Sequence, residues 1–182
     1  MNSIKAKLFG EKEIARTITR LAHEIIERNV KLETIAIIGI RTRGDFLAQR
    51  LHSQIEKISK LKIPIGTLDV SFYRDDFRTN LGSPKVGSSN ILFEIEGKHI
   101  ILIDDVLYTG RTIRAAMDEV FSYGRPASIQ LGILIDRGHK ELPIKADYVG
   151  KNSPTSLNEH IHVHVQEVDD EDAVLLMEYK DS

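Results

Sequence analysis

The sequence predicts an α/β protein with a doubly wound, mostly parallel sheet and helices on both faces. Continuous apolar, β-branched runs recur along the chain, and such runs are typical of strands that are covered on both sides. Between them lie stretches in which apolar residues follow helical spacing, so that strands and helices alternate as they do around parallel sheets. We expect the 182 residues to form a single domain, residues 1–182.

The first half of the chain supplies two predicted helices and two predicted strands. Residues 11–29 place Ile14, Ile18 and Leu21 on one stripe, which predicts an amphipathic helix. The elements that follow are a buried strand over residues 34–40, a helix over residues 44–58 and a strand over residues 65–73.

Residues 74–90 break every period with charge, glycine, proline, serine and asparagine. A segment of this length is long for a connector, so it is either a surface loop or a lid over an active site whose flanks form a hairpin. Beyond it the pattern predicts a strand over 98–104, a helix over 109–121 and a strand over 128–135. The tail has three short strand candidates, residues 147–149, 160–165 and 174–179.

Composition excludes several classes of protein. The chain has no cysteine, which excludes a disulfide framework and a thiolate metal site. Its apolar runs are too short to span a bilayer, and its first residues do not resemble a signal peptide, so we expect a cytoplasmic protein without a membrane partner. A net charge of −2 argues against indiscriminate coating of nucleic acid, although it leaves room for a local basic patch.

The most informative segment is IILIDDVLYTGRT, residues 100–112. Four apolar residues predict a buried strand, two carboxylates follow it, and a short turn leads into a predicted helix. Ligands of open α/β sheets bind at the carboxyl ends of strands, and the amides and dipole that open a helix suit a phosphate. The predicted binding residues are Ile100, Ile101, Leu102, Ile103, Asp104, Asp105, Val106, Leu107, Tyr108, Thr109, Gly110, Arg111 and Thr112.

Adjacent carboxylates repel phosphate, but they accept hydrogen bonds from sugar hydroxyls. Asp104 and Asp105 therefore predict a ribose 5-phosphate, with the diol on the acids and the phosphate on the helix start. The alternative is an exposed turn pair followed by Thr109 as a simple helix cap. The P-loop pattern GxxxxGK[ST] is absent, so ATP hydrolysis is not indicated.

Residues 41–44 form a second loop that follows a predicted strand and precedes a helix. Arg41, Thr42, Arg43 and Gly44 put two guanidiniums and a glycine at this edge. Such a loop suits pyrophosphate, which concentrates charge in a small volume. The alternative is a pair of solvated arginines.

These stretches resemble the type I phosphoribosyltransferases, and within them the bifunctional pyrimidine operon attenuation regulators and uracil phosphoribosyltransferases. DDVLYTGRT and DRGHKELP carry the resemblance most specifically, and LDVSFYRDDF and GIRTRGDFLAQRL support it. The resemblance implies that phosphoribosyl pyrophosphate (PRPP), Mg²⁺ and uracil give UMP and pyrophosphate. It also implies a small hood and a flexible β-hairpin lid beside the sheet.

The resemblance assigns further site residues. By this resemblance residues 41–44 form the pyrophosphate loop. Arg74 is the charged residue that the lid contributes, and it is a third catalytic residue in addition to Asp104 and Asp105. Asp136 is the candidate Mg²⁺ ligand, largely through water. The candidate base pocket comprises Arg137, Tyr148 and Val149.

The same resemblance implies a regulator that binds a messenger RNA leader hairpin when a uridine nucleotide, UMP or UTP, occupies the site. The matching residues are Thr19, His23, Arg28, Lys140, Lys145 and Lys151. Lysine stands at 140 and 145 where such regulators usually carry arginine, and lysine cannot make bidentate contacts. The alternative for Thr19 and His23 is a solvated helix face. Relatives form homodimers or higher homo-oligomers.

Two further functions stay open on the sequence alone. One is an RNA-binding attenuator that is weakly catalytic or not an enzyme. The other is a hypoxanthine–guanine phosphoribosyltransferase, because the PRPP segment is shared across the family and the base pocket is not.

Overall fold

The computed structural model describes residues 2–71 and 89–179. Within these ranges the elements are β1 (Asn2–Phe9), α1 (Glu11–Arg28), β2 (Ile35–Ile40), α2 (Gly44–Ser59), β3 (Ile65–Leu68), β4 (His99–Leu107), α3 (Arg111–Tyr123), β5 (Ser128–Asp136), β6 (Tyr148–Asn152), β7 (Glu159–His164), α4 (Gln166–Asp169) and β8 (Ala173–Tyr179). No helix in the described ranges is long and apolar enough to cross a bilayer.

Five strands form a parallel sheet in the order β3-β2-β4-β5-β6. All six residues of β2 are buried, because this strand is covered on both faces. The predicted doubly wound, mostly parallel sheet is confirmed.

Helices pack on both faces of this sheet and form two separate apolar cores. On one face α1 and α2 cover the strands, with Ile18 and Leu51 packed among Ile101 and Ile103. On the other face α3 buries Ile113 against the neighbouring strand residues. Successive strand residues therefore serve alternate cores, as the period of two requires.

A smaller antiparallel sheet, in the order β1-β8-β7, forms the hood. The tail strands predicted over 160–165 and 174–179 are confirmed as β7 and β8. The sequence analysis missed β1, whose pairing partner lies at the other end of the chain, with Ser3 opposite Glu178. It also missed the single-turn helix α4.

The end of one strand at the site differs from its predicted position. The strand predicted over residues 98–104 continues to Leu107, because its backbone stays paired with β5 as far as Asp136. Asp104 and Asp105 therefore lie inside the strand, not after it. The strand predicted over 65–73 ends at Leu68.

The predicted lid falls mostly outside the described residues. Thr67 and Asn90 exchange two backbone hydrogen bonds, of 3.0 and 2.8 Å, in an isolated antiparallel bridge. Chain segments on either side of the predicted lid therefore meet at its base. Arg74, and with it the predicted charge from the lid, lies outside the described residues.

Candidate functional site

The carboxyl ends of β2, β4 and β5 bring the predicted loops to one edge of the sheet. Gly44, at the start of α2, lies directly against β4. A Cβ added there would stand 2.9 Å from the Ile103 carbonyl oxygen and 3.0 Å from both Cα and Oδ1 of Asp104. Only a glycine permits this approach, which places the loop of residues 41–44 beside the acidic pair.

Asp104 and Asp105 are buried, with only 2% and 7% of their surface exposed. Asp104 Oδ1 accepts a hydrogen bond from the Asp105 amide at 2.9 Å, and Asp105 Oδ1 accepts one from the Val106 amide at 2.8 Å. Carboxylates accept several hydrogen bonds at once, so both side chains keep acceptor capacity for a ligand. Two such acceptors at a strand end suit a pair of sugar hydroxyls.

The turn after β4 leads into α3 at Gly110. This glycine caps the helix with φ +93°, a conformation that other residues adopt at a cost. Thr109 is buried, and its hydroxyl accepts a hydrogen bond from the Arg111 amide at 3.2 Å. The opening amides of a 13-residue helix thus lie one short turn beyond the carboxylates.

Residues 141 and 142, which follow β5, contact this turn. The Thr109 carbonyl accepts hydrogen bonds from the amides of Glu141 and Leu142, at 2.9 and 3.3 Å. The Arg111 guanidinium pairs with the Glu141 carboxylate at 2.7 Å on the protein surface. The positive charge of Arg111, one of the predicted binding residues, is therefore paired with Glu141.

The loop after β2 has an unusual backbone. The Arg41–Thr42 peptide bond is cis, and Arg43 has φ +77°. The Arg43 guanidinium forms a two-point contact with Asp169 in α4, Nε to Oδ2 at 3.0 Å and a terminal nitrogen to Oδ1 at 2.7 Å. Arg41 lies 3.6 Å from the Asp45 carboxylate. Burial raises the pKa of the Asp45 carboxyl group.

Asp136 ends β5 at the same edge and is buried. Its Oδ1 accepts the Gly138 amide at 3.0 Å, and its Oδ2 lies 2.8 Å from the Lys140 ammonium. The predicted magnesium ligand and one predicted RNA-binding lysine therefore form an ion pair.

Arg137 is 3% exposed and ties three parts of the chain together. Its guanidinium donates to the Thr155 hydroxyl at 3.0 Å and to the Glu159 carbonyl at 2.6 Å, and it lies 4.0 Å from the Tyr108 ring centroid. Burial lowers the pKa of this guanidinium. The sequence analysis assigned no site role to Thr155 or Glu159, because their contacts with Arg137 arise only in the folded chain.

The other two predicted base-pocket residues contact α1 and β5. The Tyr148 hydroxyl donates to Gln130 at 2.5 Å and accepts from Asn29 at 3.1 Å. Burial raises the pKa of this phenol. The Val149 carbonyl accepts a hydrogen bond from Arg20 at 3.3 Å. Tyr148 opens β6, whereas the last residue of that strand, Asn152, lies opposite Asp136 at the edge. The structure thus brings Arg137 to the edge but sets Tyr148 back from it.

The predicted RNA-binding residues lie mainly on α1 and around β6. His23, Arg28, Lys145 and Lys151 are exposed, and Thr19 is half-buried. Arg28 pairs with Asp147 at 2.9 Å. Arg20 donates to the Gly150 carbonyl at 2.6 Å, which fixes α1 to β6.

Comparison with known proteins identifies the family. The phosphoribosyl transferase domain family matches residues 7–172. Proteins named Bifunctional protein PyrR are similar over nearly the whole chain. The one from Thermoanaerobacter pseudethanolicus is 52% identical over 96% of this chain and 98% of its own. The one from Clostridioides difficile is 51% identical over the same shares. This chain belongs to the PyrR group of phosphoribosyltransferases.

Solved structures of hypoxanthine phosphoribosyltransferases have a similar fold. A hypoxanthine phosphoribosyltransferase of Trypanosoma cruzi is 19% identical and matches with a TM-score of 0.72 over 97% of this chain and 98% of that one. One from Staphylococcus aureus is 21% identical, with a TM-score of 0.70 over 94% and 92%. At such identities the likeness shows the phosphoribosyltransferase fold alone.

Proposed function

We propose that this phosphoribosyltransferase converts uracil and PRPP to UMP and pyrophosphate, and that the uridine nucleotide in its site regulates RNA binding. The observation that carries the enzymatic part is the arrangement of three groups at one sheet edge. The buried pair Asp104 and Asp105 lies near the carboxyl end of β4, the strand that leads through one short turn into α3. Gly44 of the second loop lies against the same strand, so that a Cβ added to it would stand 3.0 Å from Asp104.

Each group takes one part of PRPP in this proposal. Asp104 and Asp105 hold the ribose hydroxyls, and the turn from Thr109 to Thr112 holds the 5-phosphate. The loop of residues 41–44 and the first amides of α2 hold the pyrophosphate. The substrate then bridges β2 and β4, which are neighbours in the sheet.

The reaction breaks the bond between ribose C1 and pyrophosphate oxygen and forms a bond from C1 to a uracil nitrogen, and the proton of that nitrogen is released to the departing pyrophosphate or to solvent. As the leaving group departs, positive charge develops on the sugar, as it does in glycoside hydrolysis. The carboxylates of Asp104 and Asp105 stabilise that charge, and hydrogen bonds from backbone amides hold them in place. Fixed positions of sugar and base supply the remaining acceleration.

Mg²⁺ fits this site as a partner of PRPP. The described residues contain no cluster of three or more side chains that would cage a metal alone. Mg²⁺ keeps several waters and is usually held by one or two carboxylates together with substrate phosphates. In this proposal Asp136 is the carboxylate that would hold the ion, largely through water, and the bound ion would neutralise charge on the pyrophosphate.

A product assay tests the enzymatic proposal. Uracil, PRPP and Mg²⁺ are incubated with the protein, and UMP and pyrophosphate are quantified. We expect the two products in equal amounts. Turnover of hypoxanthine or guanine without any turnover of uracil would replace this proposal with the purine alternative.

The regulatory part is favoured by the ion pair between Lys140 and Asp136. An RNA-contacting lysine that is tied to the nucleotide site gives bound nucleotide a direct way to change the RNA-binding surface. The hydrogen bond from Arg20 to Gly150 joins α1, which carries His23, to β6, which carries Lys151.

A gel-shift titration of the organism's own pyrimidine leader hairpin, with and without UMP, tests this part. We expect UMP to tighten binding about tenfold, a typical coupling between two sites. The His23→Ala variant should weaken binding, whereas Asp118→Asn, an exposed change on α3, should not. Equal affinity with and without UMP would contradict nucleotide control.

A further inference from the structure

The hood holds the loop of residues 41–44 through an acidic segment, residues 166–172, that packs against α2. Two arginines hold the segment: Arg43, which precedes α2 as its cap, and Arg50, which lies within the helix. Both contacts join parts of the chain that are more than 110 residues apart.

Arg50 anchors the segment at two points. It donates to both oxygens of Glu167, at 2.9 and 2.6 Å, and to both oxygens of Asp172, each at 2.8 Å. The Asp172 carboxylate also accepts the Gln166 amide at 2.8 Å. The segment therefore has a fixed position on α2.

The anchored segment places the Asp169 side chain next to Arg43. Its side chain is only 16% exposed, its two oxygens meet two nitrogens of the guanidinium, and Oδ2 also accepts the Val165 amide at 2.9 Å. The hydrogen bonds from Arg43 lower the pKa of the Asp169 carboxyl group. A two-point contact of this kind is stronger and more directional than an ordinary surface ion pair.

Arg43 is a residue that needs such support. Its φ of +77° is unfavourable for a side chain with a Cβ, and residues in such conformations persist only where their surroundings fix them. Arg43 is also the cap of α2, because the Leu47 amide donates to its carbonyl at 3.0 Å in the first helical bond. The direction of the amides that open α2 therefore depends on the backbone of Arg43.

We propose that Asp169 is a positioning residue that holds Arg43, and through it the pyrophosphate-binding amides at the start of α2, in the form that binds PRPP. This rests on the proposed role of residues 41–44 as the pyrophosphate loop. In this assignment the Arg43 side chain works as a tether to the hood, and the backbone around it contacts the ligand.

The test compares Asp169→Asn, Asp169→Glu and Asp170→Asn with the unaltered protein. PRPP affinity is measured by calorimetry with Mg²⁺ and no base, so the result does not depend on uracil turnover. Asp170 makes a matched control, because it is the neighbouring exposed acid and its φ of +59° is tolerated by asparagine.

We expect Asp169→Asn to weaken PRPP binding about tenfold, since only the fraction of molecules with an ordered loop binds. KM for PRPP should rise while KM for uracil stays unchanged, Asp169→Glu should recover part of the loss, and Asp170→Asn should behave as the unaltered protein. Unchanged PRPP affinity in Asp169→Asn would overturn the proposal. Tighter binding would also overturn it, because it would make Asp169 a competitor of pyrophosphate for Arg43.

A double-mutant cycle with Arg43→Gln separates a tether from a ligand contact. If Asp169 acts through Arg43, the double variant is no worse than either single variant. Additive losses would show that the two side chains act independently and would contradict the assignment. A protein that binds PRPP normally but turns over no base would refute the proposed reaction and leave this test intact.

Discussion

Asp104 and Asp105 are the residues on which the proposed chemistry depends. Their type and spacing were visible in the sequence, and the structure buries both near the carboxyl end of β4, the strand that leads into α3. Asp169 and Thr155 were not visible, because their roles come from partners more than 15 positions away, Arg43 and Arg137 respectively. Local patterns identify residues that act within one loop, whereas contacts across the fold need the structure.

Asp104→Asn and Asp105→Asn should each lower kcat/KM about 100-fold, because each removes a charge that stabilises the developing positive sugar. Steady-state kinetics with uracil and PRPP give the values, and circular dichroism checks that the fold is kept. Asp118→Asn, an exposed acid on α3, is the control. Losses below about threefold in both site variants would remove the acidic pair from the mechanism.

Arg137→Lys should destabilise the protein by about 2–3 kcal/mol, since lysine cannot replace the planar guanidinium that serves Thr155, Glu159 and the Tyr108 ring together. Urea denaturation gives the free energy of unfolding. Arg114→Lys, an exposed arginine on α3, should have little effect. A similar stability for both variants would show that the buried contacts of Arg137 are dispensable.

At the scale of elements, the core strands and helices form where the apolar periodicity of the sequence predicts them. The ends of the strands, and the whole of β1, were not predicted by that periodicity. The strand β4 runs past its apolar residues because β5 continues beside it, and a neighbour's length cannot be predicted from one strand's composition. The strand β1 owes its form to pairing with β8 at the opposite end of the chain.

The turn that opens α3 gives a test at this scale, through Gly110→Ala. A Cβ at Gly110 would meet only ordinary contacts, the nearest at 3.4 Å, so the cost of the change comes from φ +93°. We expect a loss of about 1 kcal/mol in stability and weaker PRPP binding. Gly97→Ala, with φ +70° and nothing within 4 Å, should cost similar stability and leave PRPP binding unchanged. If both variants bind PRPP equally well, the turn at Gly110 does not bind the phosphate.

At the scale of the whole molecule, ion pairs within the hood and between the hood and α2 predict how stability depends on pH. Hydrogen bonds from Lys5, Arg50 and Arg43 lower the pKa of Glu159, Glu167 and Asp169, respectively. When folding lowers the pKa of a carboxyl group, that group stabilises the folded protein at pH values above the pKa it has in the unfolded chain. That pKa is 4.5 for Glu and 3.8 for Asp. That stabilisation is lost as pH falls through the folded pKa.

The free energy of unfolding should therefore change little between pH 6 and 8 for these groups and fall steadily below about pH 4.5. Burial raises the pKa of Asp45, which has the opposite effect on stability, but six described carboxyl groups have a lowered pKa: Glu13, Glu56, Glu159, Glu167, Asp169 and Asp172. Urea denaturation at several pH values measures the trend. A stability that stays constant down to pH 3 would contradict the role given to these ion pairs.

The central claim is geometric, and a crystal structure of the protein with UMP tests it most directly. We predict the ribose hydroxyls within about 3 Å of the Asp104 and Asp105 carboxylates and the phosphate on the amides of residues 109–112. A nucleotide whose sugar faces other residues, or whose phosphate lies away from the start of α3, would contradict the account.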